Sequence, residues 1–212
     1  MPDILIYSDI GENYWEPEKS LTGAAIKPQL EGDVTVRINS PGGDVFEGFA
    51  IYNLLKQHEG QVTVYIDGLA ASAASIIAMA GDVVHMPETA MMMIHDPWTI
   101  AVGDAADMQK TAELLGAIKD SIVPAYTDKT GLPSDEVAAM MASETWLTGA
   151  QAISMGFASN IEGKADVAPK DFKKPWINNA PEVEEIEPLE EEIIPDSLWR
   201  VSLARKRLAL TE

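Results

Sequence analysis

His95 is the histidine best placed for chemistry in this 212-residue chain, which has three histidines and no cysteine. The lack of cysteine excludes a thiolate nucleophile and cysteine-based zinc sites, and leaves three imidazoles as general-base candidates. His58 lies at the polar end of a predicted helix, and His85 lies inside a predicted strand, where a core or cross-strand role is the simpler interpretation. His95 follows the apolar run 91–94 and precedes a proline turn. It is therefore expected at the mouth of a buried strand, facing a cleft.

Ser72 is the candidate nucleophile. The segment 68–75 reads Gly-Leu-Ala-Ala-Ser-Ala-Ala-Ser, and it follows a predicted strand and opens a predicted helix. Backbone N–H groups and the positive end of the helix dipole would lie beside the serine oxygen and favour a developing oxyanion. The alternative is an alanine-rich packing helix in which the serines have no catalytic role. If Ser72 is not the nucleophile, Ser75 is the next candidate. The segment lacks the G-x-S-x-G pattern, so an α/β-hydrolase is not supported.

Gly42 and Gly43 form a third segment of interest, because they follow the predicted strand 34–39. A glycine pair in this place exposes backbone N–H groups that serve as oxyanion donors or as a clamp on a peptide backbone. A simple turn is the alternative. No Gly-Lys-Ser/Thr follows, so the pair does not form a Walker phosphate loop.

Three motifs in this order resemble those of the ClpP serine peptidases, family S14. They are residues 38–43 (Ile-Asn-Ser-Pro-Gly-Gly), 68–72 (Gly-Leu-Ala-Ala-Ser) and 93–97 (Met-Ile-His-Asp-Pro). The similarity covers roughly residues 3–163. Within the family, the chain looks most like the ClpP-related prohead, or head-maturation, proteases of tailed bacteriophages.

The resemblance implies roles for individual residues. Ser72 would be the nucleophile and His95 the general base, while Gly43 and Ala73 would donate the oxyanion-hole N–H groups. Glu144 occupies the position of the third triad member, where the family usually has aspartate; glutamate is one methylene longer. The expected substrate-binding residues are Gly42, Asp44, Pro97 and Trp98. Neither a metal nor an organic cofactor is implied.

The implied activity is that of an ATP-independent serine endopeptidase which cleaves phage capsid or scaffold proteins during head maturation. Homo-oligomers, expected as heptameric rings, are implied as well. Two features favour this role: the first predicted strand begins at residue 4, leaving no long axial segment, and an acidic segment follows the domain. The alternatives are a bacterial ClpP-type subunit that works with an unfoldase, and a capsid-assembly scaffold whose protease site has decayed.

Two other enzyme classes are rivals. A crotonase-type acyl-CoA enzyme shares the superfold but would use an acidic acid/base pair without a Ser–His couple. A Ser–Lys peptidase is disfavoured because no lysine lies between Lys56 and Lys110. Labelling by a fluorophosphonate separates a serine peptidase from the crotonase-type enzyme, since that probe needs an activated serine.

Strand-like and helix-like patterns alternate along residues 1–165, which predicts an α/β fold: a ClpP/crotonase-like spiral of strand–helix units with a long handle helix. The predicted strands are 4–7, 34–39, 62–66, 82–86, 91–95 and 157–161. The predicted helices are 20–30, 45–58, 70–80, 104–129, 134–142 and 148–155. The helix 104–129 resembles the handle by which rings of the family stack.

Composition separates the rest of the chain from this peptidase domain. The interval 166–196 is predicted to be an acidic linker containing prolines, with eight acids and no base over 181–196; a basic amphipathic helix is predicted over 197–212. The net charge of −19 disfavours binding to nucleic acid and to anionic membranes. With no signal peptide and no apolar run of about 18 residues, a cytoplasmic protein is expected, in the host cytoplasm if phage-encoded.

Overall fold

The computed structural model describes residues 3–159, which all lie within one compact unit, Met1–Phe172. Its strands are β1 (Asp3–Ile6), β2 (Val34–Ser40), β3 (Val62–Ala71), β4 (Val83–His85), β5 (Met91–Ile94) and β6 (Thr145–Thr148). Its α-helices are α1 (Gly23–Ile26), α2 (Val45–Lys56), α3 (Ala73–Ala78), α4 (Ala105–Thr130), α5 (Ser134–Ala142) and α6 (Gly149–Ser154). The predicted linker 166–196 and the predicted helix 197–212 lie outside the described residues.

The strands form one sheet in which β1, β2 and β3 are parallel neighbours. β3 is long enough to pair with two strands in succession: its first half pairs with β4 and its second half with β5, both parallel. β6 closes the sheet antiparallel to β5. Parallel neighbours need crossover connections, which the helices supply, so the mixed α/β fold with a long helix is confirmed.

Alternation along the strands sets the core. One face of β1 to β4 is apolar and buried; its residues are Ile4, Ile6, Val36, Ile38, Val64, Ile66 and Val84. Side chains of successive strand residues point to opposite faces, so this pattern turns a whole row of β-branched residues toward the helices. α3 lies wholly in the core because it consists of small and aliphatic residues.

Helix boundaries follow the caps that the sequence provides. Asp44 begins α2, its carboxylate accepting from the backbone N–H groups of Phe46 and Glu47. Asp104 begins α4 with a capping box, and Gly131, at φ 72°, ends it. α4 continues through Pro124 as one helix. The helices predicted over 45–58, 104–129, 134–142 and 148–155 are confirmed to within two residues at each end.

Several sequence-based assignments need correction, and the predicted strand 62–66 extends to Ala71. The predicted helix 70–80 begins only at Ala73, because β3 pairs with β5 as far as Ala71. The predicted helix 20–30 is reduced to α1 and flanking 3₁₀ turns. β6 was not predicted, and residues 157–159 are not a strand; residues 160–161 lie outside the described part. No helix within residues 3–159 is long and apolar enough to cross a membrane.

Candidate active site

Ser72 lies at the junction between β3 and α3, in a conformation that non-glycine residues rarely adopt. Its backbone has φ 54° and ψ −127°, and its N–H donates to the carbonyl of Met93 at 2.9 Å. Within residues 3–159, Ser72 and Glu144 are the two non-glycine residues with positive φ. Such strain persists where the surrounding structure fixes it, and it concentrates at functional sites. The Ser72 side chain makes no capping hydrogen bond to α3.

His95 directly follows β5 and meets Ser72 across the sheet edge. Ala71 pairs with Met93 in the parallel β3–β5 ladder, so the two strands end side by side and deliver their next residues to one place. The Ser72 hydroxyl contacts His95 Nε2 at 2.8 Å. With the ring proton on Nδ1, the hydroxyl donates to Nε2, which is the contact a general base needs.

The other two histidines lie elsewhere. His58 Nε2 contacts the carbonyl of Gly32 at 2.5 Å, outside the site. His85 stacks on Tyr65, with ring centroids 4.5 Å apart, in the cross-strand role expected from its position in β4. His95 is thus the histidine that contacts Ser72.

Glu144 lies just before β6. Its backbone lies across from that of His95, but the two side chains form no hydrogen bond. Ile94 pairs with Thr145 in the antiparallel β5–β6 ladder, and the same register extended by one residue places Glu144 across from His95. The Glu144 side chain is exposed, and its Oε1 accepts from Trp146 Nε1 at 3.1 Å. The structure therefore brings Ser72 and His95 together and leaves Glu144 beside them.

The glycine pair packs directly against the nucleophile turn. Gly42 has φ 101°, and a Cβ at this position would come within 2.7 Å of the Ser72 Cβ and 3.0 Å of the Ala73 nitrogen. At Gly43, the bridge to Ile10 uses the Gly42 carbonyl and the Asp44 N–H, so the Gly43 N–H points to the opposite side. The Ala73 N–H is the first of α3 and has no intrahelical acceptor. Gly43 and Ala73 both line the cleft that Ser72 lines.

The site opens into a cleft of about 290 Å³. The sequence-predicted Asp44, Pro97 and Trp98 line it, although the Asp44 carboxylate is occupied in capping α2. The sequence reasoning missed an apolar wall, formed by Phe46, Ile76, Leu114, Leu115, Ile118, Ile122 and Tyr126. The members from α4 recur at three- and four-residue spacing, the signal that identifies one face of a helix.

Asp96, which follows His95, is tied to the same helix. Its backbone N–H donates to the carbonyl of Met141 at 3.0 Å, and its carboxylate forms an ion pair with Lys119 of α4 at 2.8 Å. This pair joins the end of β5 to the helix that supplies the apolar wall. The Asp96 carboxylate is engaged by Lys119 and not by His95.

Gly42→Ala tests the close approach of the glycine turn to Ser72. The added methyl would collide with the Ser72 Cβ and with the Ala71 carbonyl, 2.8 Å away, and alanine is strained at φ 101°. We expect the turn to shift, the Gly43 donor to move, and peptide hydrolysis to fall by about 10²-fold. Gly116→Ala is the matched control, because nothing outside its chain neighbours and the backbone of its own helix lies within 4 Å of the added methyl. Equal peptidase rates in the two variants would contradict the placement of the turn.

Comparison with known proteins agrees with this geometry. The family model described as Clp protease matches residues 25–165. The ATP-dependent Clp protease proteolytic subunit 1 of Mycobacterium tuberculosis (strain ATCC 25618 / H37Rv) is 31% identical over 138 residues, which cover 64% of this chain and 68% of that protein. The ATP-dependent Clp protease proteolytic subunit of Bacteroides fragilis (strain YCH46) is 31% identical over 132 residues, covering 61% and 60% of the two chains.

Proposed function

Because the chain belongs to the Clp protease family, we propose that it is a serine peptidase in which Ser72 is the nucleophile and His95 the general base. The observation that carries the proposal is the 2.8 Å contact between Ser72 Oγ and His95 Nε2 at the mouth of an apolar cleft. A crotonase-type enzyme does not use such a pair of serine and histidine in its reaction. The backbone N–H groups of Gly43 and Ala73 also support acyl transfer, because they can stabilise the oxyanion that forms in that reaction.

The reaction follows from these positions. Ser72 Oγ attacks the carbonyl carbon of the scissile peptide bond while His95 Nε2 takes the hydroxyl proton. The carbonyl oxygen becomes an oxyanion that the N–H groups of Gly43 and Ala73 stabilise, each donor contributing about 3–4 kcal/mol. The C–N bond then breaks as His95 returns the proton to the leaving amine. Water, activated by the same imidazole, releases the acyl group from Ser72.

Glu144 is proposed as the residue that orients His95. Its Oε1 is held by the Trp146 indole, and Oε2 remains free to accept from His95 Nδ1 when the side chain turns toward the ring. This bond would fix the tautomer and stabilise the imidazolium that forms during attack. The register of β5 and β6 and the strained φ of 47° at Glu144 support this role.

The cleft supports a preference for peptides with a large apolar side chain beside the scissile bond. Its wall is built from aliphatic and aromatic side chains of α2, α3 and α4, and Trp98 also lines it. Full burial of a leucine side chain stabilises a complex by about 1.5–3 kcal/mol. We expect kcat/KM for a leucine peptide to exceed that for a matched aspartate peptide by at least about tenfold.

One experiment tests the activity and the nucleophile together. The purified chain is treated with a fluorophosphonate probe, and the labelled peptide is identified by mass spectrometry, with hydrolysis of the leucine peptide measured in parallel. Labelling at Ser72 with loss of hydrolysis is the expected result. Absence of labelling, with no hydrolysis of either peptide, would contradict the proposed function.

We further propose that the chain assembles into homo-oligomeric rings of seven subunits and acts on protein substrates. The resemblance to head-maturation proteases supports action on a capsid or scaffold protein without ATP. The printed names of the relatives, which are proteolytic subunits of ATP-dependent proteases, favour a second candidate role beside an ATPase. We expect the purified protein to have a mass seven times that of one 22.9 kDa chain. We also expect it to degrade an unfolded protein without an added ATPase. A monomeric protein would count against ring assembly. Strict dependence on an added ATPase would count against ATP-independent action on a capsid or scaffold protein.

A further inference from the structure

A buried chain of hydrogen bonds lies behind the nucleophile. Ser75, on α3, is fully buried, and its Oγ donates to the carbonyl of Ser72 at 2.6 Å. The same Oγ contacts the hydroxyl of Tyr126, on α4, at 2.8 Å. Tyr126 is 1% exposed and packs against Phe157. Ser75 is therefore not an alternative nucleophile, because its hydroxyl is enclosed and already has two partners.

The Ser72 carbonyl, at the end of this series of hydrogen bonds, determines which hydroxyl is the donor in each bond. A carbonyl oxygen only accepts, so the Ser75 proton goes to Ser72, and the proton between Ser75 and Tyr126 belongs to the tyrosine. Burial raises the pKa of Tyr126 far above its ordinary value, so the phenol keeps its proton at any working pH. The order is thus Tyr126 to Ser75 to the Ser72 carbonyl.

The Ser72 carbonyl shares one peptide plane with the Ala73 N–H. In a trans peptide the C=O and N–H of one unit point in opposite directions, so fixing one fixes the other. The Ser75 backbone N–H also donates to the Ser72 carbonyl, at 2.9 Å, as expected in a first helical turn. The Ile76 N–H donates to it at 3.4 Å, and the Ser75 hydroxyl adds a third and shorter bond, at the residue whose backbone is strained. Hydrogen bonds in series also polarise one another, which makes the Ala73 N–H a better donor.

We propose that Ser75 and Tyr126 are positioning residues for the oxyanion hole, which hold the Ser72–Ala73 peptide so that the Ala73 N–H points into the cleft. The inference rests on the proposed function and concerns the two hydroxyl groups, which act through the backbone; the Tyr126 ring lines the cleft, and Tyr126→Phe keeps that ring. The two hydroxyl groups also give α4 a direct connection to the nucleophile turn, through residues 51 positions apart in the chain.

The test compares Ser75→Ala, Tyr126→Phe and the double variant with the wild-type chain. Three quantities are measured: kcat/KM on the leucine peptide, the affinity of a peptide boronate, and the inhibition constant of the unreactive product peptide. The boronate forms a tetrahedral anion on Ser72 and places an oxygen in the hole, whereas the product peptide does not. We expect Ser75→Ala to lower kcat/KM and boronate affinity together by about tenfold, with product binding changed less than about twofold.

Tyr126→Phe should act in the same direction by about threefold, since Ser75 keeps its own bond to Ser72. The double variant should match Ser75→Ala in these quantities, because Tyr126 reaches the Ser72 carbonyl only through the Ser75 hydroxyl. Val84→Ala, a core truncation in β4, controls for lost stability and should leave all three quantities near wild type. If Ser75→Ala does not fold, Tyr126→Phe and the double variant decide.

Variants that match wild type, or that weaken product binding as much as boronate binding, would overturn the inference while leaving the peptidase assignment intact. A wild-type chain that neither hydrolyses the peptide nor binds the boronate would contradict the proposed function itself.

Discussion

Ser72→Ala is expected to lower peptide hydrolysis by a factor on the order of 10⁴ to 10⁶ and to abolish fluorophosphonate labelling. The substitution removes one oxygen, whose bond within residues 3–159 is the one to His95. The fold and the assembly should therefore be unchanged, while covalent catalysis is lost. Steady-state kinetics and probe labelling check the loss, and circular dichroism with sedimentation checks that structure is retained.

Ser154→Ala is the matched control for this variant. Ser154 is an exposed serine of α6 whose hydroxyl donates to the Gln151 carbonyl, remote from the cleft. It should keep wild-type activity and labelling. Hydrolysis by Ser72→Ala at the wild-type rate would show that Ser72 is not the nucleophile; because Ser75 is buried, another reaction class would then be required.

Glu144→Gln is expected to lower kcat by a factor on the order of 10² to 10⁴, with little change in the affinity of an uncleaved peptide. The amide keeps nearly the shape of the carboxylate but no longer stabilises the imidazolium that forms when Ser72 attacks. The bond from the Trp146 indole survives, because the amide oxygen still accepts it. The kinetic constants are compared at a pH where the wild-type rate is constant.

Two variants make this result decisive. Glu113→Gln, at an exposed position of α4, makes the same chemical change away from the site and should leave kcat unchanged. Asp96→Asn examines the neighbouring acid, whose carboxylate pairs with Lys119. Near-normal turnover in Glu144→Gln together with a large loss in Asp96→Asn would transfer the orienting role to Asp96.

The site depends on where parallel strands end. β3 and β5 run side by side and stop at the same edge, so a residue directly after each strand meets the other without a long loop between them. Ser72 and His95 are 23 positions apart, and the ladder alone brings them into contact. Mutations that shift the β3–β5 register should therefore affect catalysis more than their cost in stability suggests.

Local features of this protein could be predicted from its amino-acid sequence. The helical pattern over 104–129 predicted α4 to within one residue at each end, because the caps that end it, Asp104 and Gly131, act over a few residues. Alternating apolar residues identified the central strands, because this alternation is also a local property of the sequence. The order of three short motifs identified the family and its two principal catalytic candidates, Ser72 and His95, before any contact was known.

Features that depend on long-range packing could not be predicted from local patterns. β6 has no strong periodicity of its own over four residues and exists because β5 pairs with it. The start of α3 moved to Ala73 because the β3–β5 ladder holds Ala71 in the sheet. The bonds from Tyr126 to Ser75 and from Lys119 to Asp96 join α4 to segments far away in the chain. Such partners are chosen by how the folded layers pack, and no local pattern encodes that choice.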